Sequence, residues 1–401
     1  MAYRDLKRFP LQLWVLFAAT LVNRMGTMVL PFLAIYLTHQ RGFSIDKAGM
    51  VLAIYGAGTL ISGVGSGWLC ERLGAARAMV WCLVIAAAIM FLFPFAESLT
   101  TIVIFTVLLS IFNEMARPMG MTLTSEFSPS ELRKSAFAID RLAINLGMSI
   151  GPIIGGILAQ RSFLWIFVID GATTLLAAIV VTISFVRLGC FKKKGPSSPD
   201  TTSDRSAFAS FKAALRDPTL RYFLIPAVLL SMVFFQHEST LPIYLVNELM
   251  LSPVTYGLMF TVNTVMIIFL ELPLNIATSH WSLRKTLFIG SLFNALGFGS
   301  IAFVRSVWGL FALVAVWTFG EMMTFPAASA YVSEISPPHR RATYMGLFTA
   351  SFGLSFILGP MGGAFLMQHF GSTTLWLASL SCGLVSTLLF LKVKDIKASA
   401  T

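Results

Sequence analysis

Pro118 leads through Ser125-Glu126-Phe127-Ser128-Pro129 and the basic pair Arg133-Lys134 to Gly151-Pro152 and Gly155. Half a chain later, Pro326 leads through Ser333-Glu334-Ile335-Ser336-Pro337 and Arg340-Arg341 to Gly359-Pro360 and Gly363. Each counterpart lies 208 positions on (326 − 118), and Tyr36 with Tyr244 and Gly49 with Gly257 keep that register. A register held over so many residues marks two homologous halves. The reading divides the chain into a first half at 1–186, a linker at 187–219 and a second half at 220–401.

Each half is too apolar for water. Hydrophobic residues make up 56% of the chain and charged residues 12%, against roughly 25% charged in soluble domains. A helix needs about 20 apolar residues to cross the hydrocarbon core. Runs of that kind fall near 11–38, 48–69, 78–96, 100–123, 135–159, 163–186, 220–246, 254–277, 286–304, 307–331, 342–367 and 373–391. They lack the alternation that barrel strands require. The fold expected is an all-α integral membrane protein with about twelve transmembrane helices in two pseudo-symmetric six-helix bundles.

The basic residues set the orientation, because Lys and Arg are retained on the cytoplasmic side. With the N-terminus inside, the inner segments hold Arg4, Lys7, Arg8, Arg72, Arg77, Arg133, Lys134, Arg284, Lys285, Arg340, Arg341, Lys392, Lys394, Lys397 and the linker's cluster. The outer loops hold only Arg41, Lys47, Arg161 and Arg305. Both termini are expected in the cytoplasm, with the chain in a bacterial inner membrane. The net charge of +11 reads as this orientation signal; a nucleic-acid partner would need a basic face on a soluble domain, so none is expected. Lys192-Lys193-Lys194 in the linker can touch anionic lipid headgroups. Cys70, Cys82, Cys190 and Cys382 show no metal-ligand or paired spacing, so neither disulfide, metal nor cofactor is expected. The first apolar run is too long for a cleavable signal.

Three motifs resemble one family. Two six-helix halves joined by a cytoplasmic linker are similar to the major facilitator superfamily. The stretch Gly67-Trp68-Leu69-Cys70-Glu71-Arg72-Leu73-Gly74-Ala75-Ala76-Arg77 resembles its G-x-x-x-D-R-x-G-R-R loop, with Glu71 in place of Asp. Gly147-x-x-x-Gly151-Pro152-x-x-Gly155-Gly156 resembles the fifth-span motif of the drug:proton antiporter branch. The resemblance implies alternating access, with these two stretches as gating elements.

The physics of those stretches stands beside the name. Glycines four apart share a helix face and let a neighbouring backbone come close, while Pro152 removes a backbone hydrogen bond and bends the helix. Glu71, Arg72 and Arg77, around Gly74, can hold helix ends together by charge-assisted bonds that break as the halves rock. Plain packing and topology-setting explain the same residues almost as well. Gly147-Met148-Ser149-Ile150-Gly151 also fits the hydrolase pattern G-x-S-x-G, but that motif needs a strand-to-helix turn, and here it lies inside a long apolar span.

The chemistry is expected on intramembrane charges, which are costly and usually functional. Glu114, Arg117, Asp140 and Arg141, in spans four and five, are expected at similar depth. Glu114 and Arg117, three apart, share a face and can pair. A carboxylate that alternates between an arginine and an apolar cavity has two proton affinities. Glu114 and Asp140 are therefore the candidate proton carriers, with Arg117 and Arg141 modulating them; a static ion-pair network is the competing reading. Arg24, with Asn23, is placed to bind an anionic group or to serve as a counter-ion. His237, Glu238 and Glu321 are candidates for the substrate cavity of the second half. Glu271 and Asp170 read equally well as structural.

The drug-exporter pattern is not followed throughout. The stretch around Phe105–Ser110 lacks an arginine well before Pro118, and Asn23-Arg24 stands where that branch carries an acid. The function expected is secondary active transport: proton-coupled export of amphipathic organic compounds by a monomer, with protons, a small-molecule substrate and membrane lipids as partners. The alternatives are transport of one anionic or zwitterionic metabolite such as a siderophore, and a non-transporting membrane sensor or scaffold. With no metal-ligand set or nucleophile–base pair, an enzyme is not expected.

Overall fold

The computed structural model describes residues 8–129, 132–191, 214–337 and 341–395. Among these, twelve long helices follow one another, labelled α1 to α12. They are α1 Leu11–Met25, α2 Ile45–Leu73, α3 Ala75–Leu92, α4 Leu99–Phe127, α5 Arg133–Arg161 and α6 Phe163–Arg187. The second six are α7 Pro218–Phe234, α8 Pro253–Ala277, α9 Leu283–Gly299, α10 Val307–Ile335, α11 Arg341–Phe370 and α12 Ser372–Phe390. Eleven stretches among the described residues are long and apolar enough to cross a membrane; α2, of 29 residues, is the remaining long helix. The expected fold class is the one found. Helices suit this setting because hydrocarbon offers no partner to a backbone N–H, so each must be satisfied within the chain. Several first turns are closed by side chains: Ser98, Ser162, Asp217, Ser282 and Ser306 each accept from a first-turn N–H.

The 208-residue register extends to local geometry. Helix α1 stops at Met25, restarts as Val29–Ile35 and runs into a π-helical turn at Tyr36–Gln40. Helix α7 stops at Phe234, restarts at Thr240–Ile243 and runs into a π-helical turn at Tyr244–Glu248. Tyr36 accepts from Arg41 Nε at 2.7 Å, and Tyr244 accepts from Arg305. The two first helices of the repeat are thus broken in the same way.

The repeated glycines explain how those breaks are packed. A Cβ at Gly151 would lie 3.0 Å from the carbonyl oxygens of Met25 and Thr27. At Gly147 it would meet the backbone of Arg24 and Met25, 2.8 Å away. In the second half, a Cβ at Gly359 would lie 2.8 Å from the Met232 carbonyl, and one at Gly363 would meet Gln236. Each Gly-Pro helix therefore lays its glycine face against the broken first helix of its own half, the close approach that small residues allow.

The described residues group into two compact units. One comprises Met1–Gly42, Ile54–Ser197 and Met250–Val265; the other comprises Phe43–Ala53, Ser198–Leu249 and Met266–Thr401. Relative to the sequence halves, each unit takes in the first turns of one helix from the opposite half. Gly49 and Gly257, paired in the repeat, carry this exchange. Gly257 sits on the Pro152 carbonyl and within 3.0 Å of Ile153 Cα in the first unit, measured from its would-be Cβ, and Gly49 lies 2.9 Å from the Pro360 oxygen in the second.

Each unit has its own core. In the first, Leu16, Cys82, Leu83, Met119, Val181 and Phe185 are buried together. In the second, Phe223 stacks on Tyr331 at 4.8 Å beside Leu287, Phe348 and Phe390. Large apolar residues are also exposed, among them Trp308 at 83%, Phe269 at 70% and Leu272 at 69%. So much exposed apolar surface suits lipid rather than water.

Candidate functional site

Helix α1 supplies one wall of a small pocket inside the first unit. Thr20 and Arg24 are one turn apart and so share a face, and Asn23 lies beside them. Opposite stand Arg117 of α4 and Asp140 of α5, and the rest of the lining is apolar or small, including Met79, Leu83 and Ile144. Asp140 accepts a hydrogen bond from the Thr20 side chain and lies in the field of both Arg24 and Arg117. Arg117 in turn feels Arg24, Glu114 and Asp140. One carboxylate thus shares a largely apolar wall with two guanidiniums.

Glu114 stands just outside this lining, three residues from Arg117 on α4. Its Oε1 accepts from the buried Tyr55 hydroxyl at 2.9 Å and from Asn113 Nδ2 at 3.3 Å. Arg141 follows Asp140 but turns about 100° round the helix; it is exposed and absent from the cavity wall. Of the four residues expected at one depth, Arg117 and Asp140 share the cavity, Glu114 adjoins it and Arg141 faces elsewhere.

Arg24 is aimed by the break that follows it. Asn23 Nδ2 donates to Thr174 Oγ1 of α6 at 3.0 Å, and Gly26 lies so close to Thr173 that any Cβ there would collide. Asp170, one turn earlier on α6 and 3% exposed, accepts from the N–H groups of Met28 and Val29 at 3.1 and 3.0 Å. Those two donors have no intrahelical partner at the start of a helix segment. A carboxylate from a neighbouring helix satisfies both.

The second unit holds a different polar group. His237 Nδ1 meets the Phe234 carbonyl oxygen at 2.7 Å, and its Nε2 is 3.6 Å from Glu238 Oε1. The imidazole packs on Phe234, ring centres 4.5 Å apart, and Phe234 meets Phe325 of α10. The neighbouring Gln236 is buried and donates to the carbonyls of Met232 and Gly359 at 3.0 and 2.8 Å. Its Oε1 accepts from Thr240 at 2.8 Å. Glu321 on α10 and Glu271 on α8 are both half-buried.

At the α2–α3 corner, Gly74 has φ +80°, a conformation that favours glycine. The Arg72 guanidinium stacks 4.2 Å over the Trp68 ring, and Lys285 stacks at the same distance over Trp281 in the counterpart loop. Arg77 is exposed in the first turn of α3. The Glu71 side chain lies outside the described part. On α5, Gly155 packs on the Phe32 ring, while Gly156 would bring a Cβ within 2.7 Å of the Pro253 oxygen and Val254 Cα.

Four site residues escaped the sequence reading or were undervalued by it. Thr20 could have been found, being one turn before Arg24. Asn113 adjoins Glu114, but nothing local ties it or Tyr55 to that carboxylate. Asp170 reads as an ordinary packing residue until the break in α1 is known.

The comparisons with known proteins agree with this architecture. The uncharacterized MFS-type transporter YqjV of Bacillus subtilis is 26% identical over 369 residues, covering 90% of this chain and 87% of its own. A Na(+), Li(+), K(+)/H(+) antiporter of Planococcus maritimus is 21% identical over 365 residues, 85% of each chain. Multidrug resistance protein MdtH of Aeromonas salmonicida is 22% identical over 358 residues, 89% of this chain and 87% of that one. A crystal structure of a mutant form of the peptide transporter POT superposes with a TM-score of 0.83 at 17% identity, over 96% of this chain and 94% of that one. The profile described as Major Facilitator Superfamily matches residues 16–249 and again 238–401. The chain therefore belongs to the Major Facilitator Superfamily and is a membrane transporter rather than an enzyme.

Proposed function

We propose that this transporter exchanges protons for amphipathic organic compounds, exporting them by alternating access from a bacterial inner membrane. In this reading both termini lie in the cytoplasm and the monomer is the working unit. The observation that carries it is the cavity of the first unit, where Asp140 shares the lining with Arg24 and Arg117, and Glu114 adjoins. A carboxylate whose cationic neighbours shift during rocking changes its proton affinity, since an adjacent cation favours the charged form and an apolar setting the neutral one. Glu114 and Asp140 carry the proton, Arg117 modulates both, and Arg141 acts from outside the cavity. In the second unit His237, Glu238 and Glu321 contribute polar groups to substrate binding, within an aromatic surround that tolerates varied apolar shapes. The Gly67–Arg77 corner and the glycine face of α5 serve as the moving seals. The names of the Planococcus antiporter and of MdtH support both parts of the reading, ion-for-proton exchange and drug export.

A second reading has its own support. Arg24 and Arg117 both line the cavity against a single lining carboxylate, and paired guanidiniums suit an anionic group. On this view the cargo is one anionic or zwitterionic metabolite. Purified protein in proteoliposomes with an internal pH dye separates the two. Proton flux driven by organic cations and neutral amphiphiles supports drug export, flux driven only by carboxylates supports the metabolite, and no flux with either rejects proton exchange.

A further inference from the structure

The two halves break their first helix in the same place but hold the break with different chemistry. In the second half the holder is neutral: Gln236, within the break itself, bonds to Met232, Gly359 and Thr240. In the first half the holder is Asp170, whose Oδ2 takes the N–H groups of both Met28 and Val29. The position 208 residues after Asp170 is Ala378, so the second half offers no carboxylate there. Among the described residues, the break in α1 is capped by a carboxylate, whereas the break in α7 is tied by an amide, with His237 and Glu238 beside it.

That break also sets the position of Arg24. On one side Asn23 is tied to Thr174 and Gly26 is pressed against Thr173, both on the same turns of α6 as Asp170. On the other, Gly147 and Gly151 of α5 leave no room between their own backbone and residues 24–27. Arg24 lies in the electrostatic field of Asp170 on one side and of Asp140 on the other.

We propose that Asp170 is a further proton-binding residue of this transporter, a positioning residue that acts on the cavity through the break in α1. Ionised, it holds Met28 and Val29 by two charge-assisted hydrogen bonds, roughly twice the strength of neutral ones, and attracts Arg24. A proton on the carboxylate weakens both bonds and ends that attraction. Arg24 is then left to the attraction of Asp140 and the repulsion of Arg117, and the segment 26–29 is free to re-form. Among the described residues, Arg24 is the charged side chain in Asp170's field. The next titratable group along the same helices is Tyr36, which packs on Phe167 and is held by Arg41. The proposal rests on the proton-coupled reading only for its physiological use; the switch itself stands on the two hydrogen bonds.

The test measures backbone amide hydrogen exchange over residues 26–32 in the full-length protein in detergent, from pH 5 to pH 9. Rates are corrected for intrinsic exchange, and wild type is compared with Asp170→Asn and Asp170→Ala. Wild type should lose protection as the pH falls, by about tenfold or more across the range, since opening follows the loss of a charged bond. Asp170→Asn keeps an acceptor but no titration, so its protection should be independent of pH. Asp170→Ala should exchange fast at every pH. PH-independent protection in wild type, or the same pH profile in Asp170→Asn, overturns the proposal. If Asp170→Ala does not fold, the wild-type and Asn profiles still decide. Failure of proton-coupled transport in liposomes leaves this result unchanged, so the two ideas fail separately.

Discussion

At the scale of single residues, proton coupling turns on which carboxylates change partners. Asp140 is bracketed by Thr20, Arg24 and Arg117, and Glu114 by Tyr55 and Asn113. Asp140→Asn and Glu114→Gln should each abolish proton-driven transport while leaving the protein folded and monodisperse. Wild-type coupling in both variants would remove them as carriers. The hydrogen-bond partners give a finer check. Tyr55→Phe deletes a donor to Glu114, worth about 1.5–3 kcal/mol when the acceptor is charged. It should therefore slow proton-driven transport, because Glu114 loses one of its two hydrogen-bond donors among the described residues. An unchanged transport rate would place Glu114 outside the coupling path. Arg141→Ala, exposed and outside the cavity wall, should perturb proton-driven transport least among the four charges.

At the scale of elements, the glycines of α5 are the strongest constraint. A methyl at Gly151 would press on the carbonyl oxygens of Met25 and Thr27 at 3.0 Å, and neither backbone can yield without moving the break in α1. Gly151→Ala should cost about 1–3 kcal/mol, the usual penalty for overpacking, and lower the melting temperature. Gly346→Ala on α11, where nothing lies within 4 Å, should leave it unchanged or raised. Equal melting temperatures would mean that α5 does not pack as described. This is also where sequence reading worked best and where it stopped. The repeat of Gly151-Pro152-Gly155 at Gly359-Pro360-Gly363 is visible because a close backbone approach leaves glycine no substitute. The break itself left no such mark: residues 26–28 read Gly-Thr-Met inside an apolar run, and the group that holds them, Asp170, is more than 140 positions away. Likewise Arg117 and Asp140 announce themselves as charges among apolar neighbours, whereas Tyr55 reaches Glu114 only through tertiary packing.

At the scale of the whole molecule, orientation and coupling remain linked, because the direction of proton flow has meaning only once the inner face is known. Cys190 lies just past α6, outside the spans. Burial pushes its thiol up, against a lowering hydrogen bond with Gln12, so less thiolate is present at neutral pH than for a free cysteine. A variant keeping Cys190 alone should react with a membrane-impermeant maleimide only from the cytoplasmic face, slowly near pH 7 and faster as the pH rises. Labelling from the outer face would invert the topology. Proton exchange through the Asp140 cavity can be measured in proteoliposomes loaded with a pH dye, under an imposed pH gradient, across a panel of organic cations, anions and neutral amphiphiles. Compound-dependent proton flux opposite to the compound is expected in wild type and none in Asp140→Asn. Equal flux in the two proteins, or none in folded wild type with any compound, would contradict it.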